Sequence, residues 1–324
     1  MEIKLNVYDD ENKVIKTATA EVMELKFGSI RSLMKLLKVD DINDPSLSFR
    51  GKSPTTTVNA FYKSEKTIKS IIMLFAVVIT TINSKAQEVI YEKADSIFIE
   101  EIISKHTTEQ STEIGKKIVA LAQEFIGREY VAGTLDKYDN EPLYISCSKL
   151  DCTTFVELIL AMATGKNKCF ADVCRNLELI RYRNGIRNGY TSRLHYISWW
   201  ITDSAKTGII EDVTPYISNR EQLLELKFMS THPDSYPMLT ENPEFVKEIE
   251  LQEMPYRGIE VSYIPKEELE YKGDENIKAG DIIAITTSIP GLDVTHMGFA
   301  YYNDETLCLL HASSTKGEVI KETL

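Results

Sequence analysis

One short stretch, Leu150-Asp151-Cys152-Thr153-Thr154-Phe155-Val156-Glu157, constrains the fold more than any other part of the chain. A polar step runs into apolar residues at Phe155, Leu158, Ile159 and Met162, the spacing of one helix face. Asp151 suits the N-cap, so Cys152 falls in the first turn, where backbone N–H groups lack intrahelical partners. A thiol there feels the positive end of the helix dipole, which favours the thiolate. Cys152 also shares the apolar face with Phe155, Ile159 and Met162, so the helix must pack that face against another layer. A cysteine on such a face is more often a small core residue than a nucleophile. Partners are needed before it implies chemistry.

The chain of 324 residues is long enough for one large domain with an appendage, or for two domains. Its 49 acidic against 37 basic residues exclude a nucleic-acid surface, which needs a basic footprint. No run reaches the ~18 apolar residues of a membrane-spanning helix. With five cysteines, at least one thiol stays unpaired.

Residues 1–60 read as a small separate unit. Ile3, Leu5 and Val7 alternate as a strand, Val14 and Ile15 begin a return strand, and Ile30, Leu33, Met34 and Leu37 follow helical spacing. Residues 61–86 read as a linker and an apolar segment. Basic residues around Lys66 and Lys69, an apolar core from Ile71 to Ile79, and the small residues Ser84 and Ala86 make the three parts of a secretory signal peptide. If that segment is used, the remainder is periplasmic or secreted, beginning near Gln87. A buried strand or core helix is the alternative that the internal position supports, but the three parts standing in order favour the signal peptide.

From Ser96 to Phe125 the pattern is helical, and Phe170, Val173, Leu177 and Ile180 mark a helix after that of Cys152. Residues 182–275, rich in aromatics, proline and turns, read as an elaboration that shapes a cleft. The end of the chain is β: strands at Ile282–Thr286, Thr295–Tyr302 and Leu307–His311. A two-residue loop at Asn303-Asp304 would pair Tyr302 with Glu305 and set His296 opposite His311. A longer loop would slide this register by one or two positions.

Two of the five histidines on neighbouring rungs supply what Cys152 lacks. Cys152 would attack, His296 would take its proton, and His311 would fix the imidazole. Zinc is the competing use of Cys147-x4-Cys152 and Cys169-x4-Cys174. The second pair sits in a helical pattern that turns its members onto different faces, so no metal and no cofactor are expected.

Over about Gln87 to the C-terminus the sequence resembles the NlpC-type cysteine peptidases. Within them it is similar to the bacterial N-acetylmuramoyl-L-alanine amidase-like branch. The shared segments are Gly127–Thr134, LDCTTFVE at 150–157, GYTSRLHY at 189–196, FMSTHPDSYP at 228–237, GDIIAITT at 280–287, THMGFA at 295–300 and LLHASS at 309–314. The resemblance implies an α+β papain-like fold over 87–324, with the nucleophile at a helix N-terminus packed on an antiparallel sheet carrying both histidines. It implies Cys152 as nucleophile, His296 as base, His311 as third polar residue, and Tyr130 near the oxyanion site. The implied reaction is hydrolysis of the amide between the muramic lactyl group and L-Ala in peptidoglycan fragments. Arg193, His195, Thr231 and His232 are candidates for gripping sugar or peptide carboxylates, or equally for bracing loops.

Three rivals follow. Many relatives are endopeptidases that cut after D-Glu and use the residue at Asp151 to hold a free amine, though Thr153-Thr154 departs from their Ser-Gly. A non-catalytic wall-fragment binder is the second. Residues 1–44 resemble small phage tail-assembly chaperones, which would make a tail protein the partner. Relatives also continue some tens of residues beyond the serines matching Ser313-Ser314, so a missing terminal strand is expected.

Overall fold

The structure, a computed structural model, describes four strands between residues 2 and 61 as backbone, and residues 88–107, 113–165, 169–269 and 276–324 with their side chains. The chain divides into two compact units, Met1–Gln87 and Glu88–Leu324. In the first, β1 (Glu2–Tyr8), β2 (Val14–Glu21), β3 (Leu47–Arg50) and β4 (Thr55–Phe61) form one sheet in the order β2-β1-β4-β3. β1 runs antiparallel to β2 and parallel to β4. The alternation at Ile3, Leu5 and Val7 thus lies on a strand. The helix expected at 30–37 and the signal-like segment at 66–86 lie outside the described residues.

The second unit opens with β5 (Val89–Ile90), α1 (Lys93–Thr107) and α2 (Ile114–Gln123). Two helices therefore occupy the span whose periodicity reads as one. Gly127, at φ 84°, breaks the chain away toward β6 (Glu129–Tyr130). β7 (Leu143–Tyr144) pairs with β5, and β8 (Lys149–Leu150) leads into α3 (Cys152–Ala163) and α4 (Phe170–Arg181).

The 182–275 region is built from short elements: α5 (Ile197–Lys206), α6 (Thr214–Ile217), β9 (Arg220–Glu225), α7 (Phe228–Thr231), α8 (Pro237–Glu241), α9 (Pro243–Glu253) and β10 (Arg257–Tyr263), with β9 and β10 paired antiparallel. It docks on the loop that enters the last sheet. Lys227 N and Phe228 N donate to Gly291 O at 3.1 and 2.9 Å, and Ser198 N donates to Asp293 Oδ2 at 2.7 Å.

β11 (Ile282–Thr286), β12 (Val294–Asn303), β13 (Thr306–Ser313) and β14 (Glu318–Thr323) form an antiparallel meander in a curled sheet ordered β11-β12-β13-β14-β6-β8. β14 joins the end of the chain to β6, so the sheet carries both the strand before Cys152 and the strands with the histidines. A row of edge-on rings fastens the helices to it: Phe98 on Phe125, Phe125 on Phe155, and Phe155 on Phe299, with centroids 5.3, 6.1 and 5.8 Å apart. Each such pair contributes about 0.5–1.5 kcal/mol beyond its buried area.

The hairpin register differs from the expected one. Asn303 pairs with Thr306 and Tyr302 with Leu307, so the loop is Asp304-Glu305, and Asp304 takes the left-handed conformation at φ 53°. The shift is two rungs, which keeps every side chain on its face. Continuing the ladder puts Gly298 opposite His311, and His296 becomes the diagonal neighbour.

Candidate active site

Asp151 caps α3 as its position suggests. Its Oδ1 accepts from Thr154 N and Thr154 Oγ1, both at 2.8 Å, while Asp151 N donates back to Thr154 Oγ1 at 2.9 Å. This capping box fixes the first turn and with it the direction of the Cys152 side chain. The thiol is half-buried and is met by the backbone amide of Met297, the residue after His296. Burial pushes the thiol up from its ordinary value and the Asp151 carboxylate adds to this, against the opposing pull of the Met297 amide and Thr153. The helix terminus alone predicts a thiolate; desolvation overrides it, and the resting group is a thiol.

His296 and His311 meet edge to face, with His296 Nε2 and His311 Nδ1 2.5 Å apart. Burial lowers His296, and the neighbouring His311 lowers it further, while Glu322 opposes. Burial also lowers His311, again against Glu322. Both rings are therefore neutral near neutral pH. His311 Nε2 lies 2.7 Å from Glu322 Oε1.

Tyr130, at the end of β6, is half-buried. Its hydroxyl is pushed up by burial first, then by Cys152 and Asp151, which places it beside the thiol. Arg193 is buried and ion-paired: its guanidinium is 2.5 Å from Asp136 Oδ1 and 3.4 Å from Glu141 Oε1, and lies over the Tyr190 ring, while its Nε makes no hydrogen bond among the described residues. His195 Nε2 contacts Tyr190 O at 2.9 Å, and burial holds this ring well below the ordinary histidine value. These two brace the 190–196 loop. Thr231 and His232 are exposed; Thr231 donates to Lys227 O at 2.6 Å, and the His232 ring stacks on Phe228. They cap α7 on the loop before β12. No helix among the described residues is long and apolar enough to cross a membrane.

Three contributors escape sequence reading. Gly298 leaves the space opposite His311: a Cβ there would lie 2.7 Å from His311 Cβ. Asp293 anchors the entry to β12 by accepting from Ser198 N and Val294 N, both at 2.7 Å. Glu322 reaches His311 from β14. The H-x-G spacing was visible for the first; nothing local marks the other two.

The chain matches the AmiA-like family, described as N-acetylmuramoyl-L-alanine amidase-like, over residues 120–324. It is 43% identical to the structure of an N-acetylmuramoyl-L-alanine amidase from Bacteroides uniformis ATCC 8492, at a TM-score of 0.63, covering 64% of this chain and 89% of that one. A Bacteroides fragilis structure provisionally named a xylanase is 49% identical, with a TM-score of 0.60 and coverage of 62% and 89%. A Legionella pneumophila protein, 24% identical with a TM-score of 0.52, covers 71% of this chain and 89% of its own and shares the fold. No curated protein matches the chain. The family match, spanning Tyr130, the Cys152 helix and both histidine strands, decides the assignment: this chain belongs to the AmiA-like, N-acetylmuramoyl-L-alanine amidase-like family.

Proposed function

We propose that the protein is a cysteine hydrolase that cleaves the amide between the muramic lactyl group and L-Ala in peptidoglycan fragments. The observation that carries this reading is the thiol of Cys152 at a helix N-terminus, beside the strand of His296, with His296 held on His311. The papain-like NlpC architecture belongs to the same reading. It is supported by a helix-borne cysteine beside an antiparallel sheet that carries both histidines.

Because thiol and imidazole both rest neutral, attack and proton transfer are coupled. His296 takes the thiol proton as sulfur bonds to the lactyl carbonyl carbon and the π electrons move onto oxygen. Free N–H groups in the first turn of α3, near Cys152, stabilise that oxyanion. Collapse re-forms the carbonyl and breaks the C–N bond, and the leaving amine takes its proton from His296. Water, deprotonated by His296, then opens the thioester, and the proton returns to sulfur. Tyr130 borders the thiol on the side of β6.

The endopeptidase alternative needs Asp151 to hold a peptide amine. Its Oδ1 is committed to Thr154, which leaves only Oδ2 for that task. Export through residues 66–86 remains part of the proposal on sequence grounds, since a wall substrate lies outside the cytoplasm.

Mass spectrometry of a disaccharide-tetrapeptide incubated with the full chain, beside Cys152→Ala, tests the reading. Intact disaccharide plus intact peptide, absent with the variant, is the expected result. Sugar still attached to L-Ala-D-Glu would replace the amidase by the endopeptidase. Cleavage between sugars, or release of xylose from xylan, would replace it by a glycosidase.

A further inference from the structure

The mechanism above, on which this inference rests, needs a lone pair on one particular nitrogen of His296. His296 Nε2 is taken up by His311, so Nδ1 is the nitrogen left for the thiol. A neutral imidazole carries its proton on either nitrogen, and nothing bonded to His296 alone decides which. The contact between the rings is equally consistent with two arrangements. In one, His296 Nε2–H donates to His311 Nδ1, and His296 Nδ1 is a base. In the other, His311 Nδ1–H donates to His296 Nε2, and His296 Nδ1 carries a proton and cannot act.

We infer that Glu322 chooses between them and is a positioning residue, fourth in the series Cys152, His296, His311, Glu322. An ionised carboxylate only accepts hydrogen bonds. With Glu322 Oε1 2.7 Å from His311 Nε2, the proton of neutral His311 belongs on Nε2. His311 Nδ1 is then an acceptor, His296 Nε2 must donate to it, and His296 Nδ1 is left with its lone pair. One carboxylate two side chains away thus sets the base. When His296 takes the thiol proton, the same hydrogen bonds stay in place and the new positive charge points along them toward Glu322.

The fold builds this arrangement. Leu309 pairs with Glu322 and His311 with Ile320, so Glu322 lies one diagonal step from His311 on the shared face. His311 is 3% exposed, and its buried Nε2 makes no hydrogen bond of good geometry among the described residues; Glu322 Oε1, at 2.7 Å, is the acceptor beside it. Glu322 itself is 41% exposed, and it approaches from outside the ideal line of the ring N–H. An exposed Glu beside a His is ordinarily a surface ion pair of little consequence. The difference here is the buried ring between it and the base.

Glu322→Lys tests this in the full chain, because an ammonium only donates hydrogen bonds, and a donor facing His311 Nε2 imposes the opposite arrangement. Kinetics on the disaccharide-tetrapeptide are expected to show kcat reduced on the order of 10²-fold at nearly constant KM, the size of a lost general base. Glu322→Asp, which keeps the acceptor, should recover most of it. Imidazole ¹⁵N spectra of histidine-labelled protein give a substrate-free readout. Both rings should carry the proton on Nε2 in the native chain and in Glu322→Asp, and on Nδ1 in Glu322→Lys. Unchanged kcat, or reduced kcat with unchanged protonation sites, would overturn the assignment. If the native chain turns over no muropeptide, the functional reading fails on its own, and the spectra still decide the role of Glu322.

Discussion

Cys152 rests protonated because desolvation outweighs the helix terminus, and this moves the burden of activation onto His296. A general base must be neutral to act, and burial with His311 alongside lowers His296 from its ordinary value of 6.5, with Glu322 in part opposing. A lowered value means the neutral ring persists to lower pH. The acid limb of kcat/KM for the muropeptide is therefore expected below pH 6.5, read from rates between about pH 4 and 8; a limb above 6.5 would show that His296 is not the titrating base. His195 gives a second pH effect, on stability. Its folded value is depressed by burial, so between that value and the unfolded one the unfolded chain binds more protons. Stability is full above about pH 6.5 and is lost as pH falls toward the folded value, whereas His195→Gln should flatten that part of the melting-temperature profile. The position of Cys152 at a helix start was legible in its own neighbours, Asp151 and Phe155. Its protonation state was not, since that depends on how deeply strand β12 covers the thiol.

At the scale of elements, the β12–β13 hairpin shows what a sequence pattern can and cannot specify. Alternation along each strand put His296 and His311 on one face, and that survived a two-rung change in register because the side-chain period is two. Their diagonal placement depended on which residue enters the left-handed region, and Asn303, Asp304 and Glu305 offer no unique choice to a reader of the sequence. Gly298 makes the diagonal contact possible. Gly298→Ala would put a methyl group 2.7 Å from His311 Cβ and 2.9 Å from Leu310 O. The strands must part or His311 must move, and a displacement near 1 Å in a catalytic constellation costs on the order of 10²-fold in rate. A melting temperature lowered by several degrees, from the roughly 1–3 kcal/mol that such overpacking costs, with kcat lost and KM retained, is the expected outcome. Unaltered kcat would mean the histidine pair tolerates the shift. The N-cap belongs to the same scale: Asp151→Ala removes the acceptor for Thr154 N, which typically costs about 0.5–2 kcal/mol by denaturant titration.

Across the whole molecule, the two ends of the second unit are tied together by β14. Val319 is fully buried; its amide donates to Arg128 O at 2.8 Å and its carbonyl accepts from Gly127 N at 2.9 Å, while Tyr130 N donates to Gly317 O at 2.8 Å. Those bonds hold β6, and through it β8 and the start of the Cys152 helix, against the histidine strands. The sequence reading foresaw no strand at 318–323, where Glu318, Lys321, Glu322 and Thr323 leave only Val319 and Ile320 as an apolar signal. The pairing comes from strands far away in sequence. By contrast, β1–β4 complete their ladders within Met1–Gln87, and β5–β14 complete theirs within Glu88–Leu324. Two truncations should therefore behave oppositely. A chain beginning at Glu88 is expected to keep the melting midpoint of the second unit within the ~2–4 °C that about 1 kcal/mol moves a domain of this size. A chain ending at Gly317 loses the strand between β13 and β6 and with it Glu322, so its cooperative transition should collapse and muropeptide cleavage should vanish. Calorimetry on both forms decides the matter: an unchanged midpoint for the second would mean that β14 is not what closes the sheet, and loss of the transition in the first would mean that the leading unit is part of the same folding cooperative.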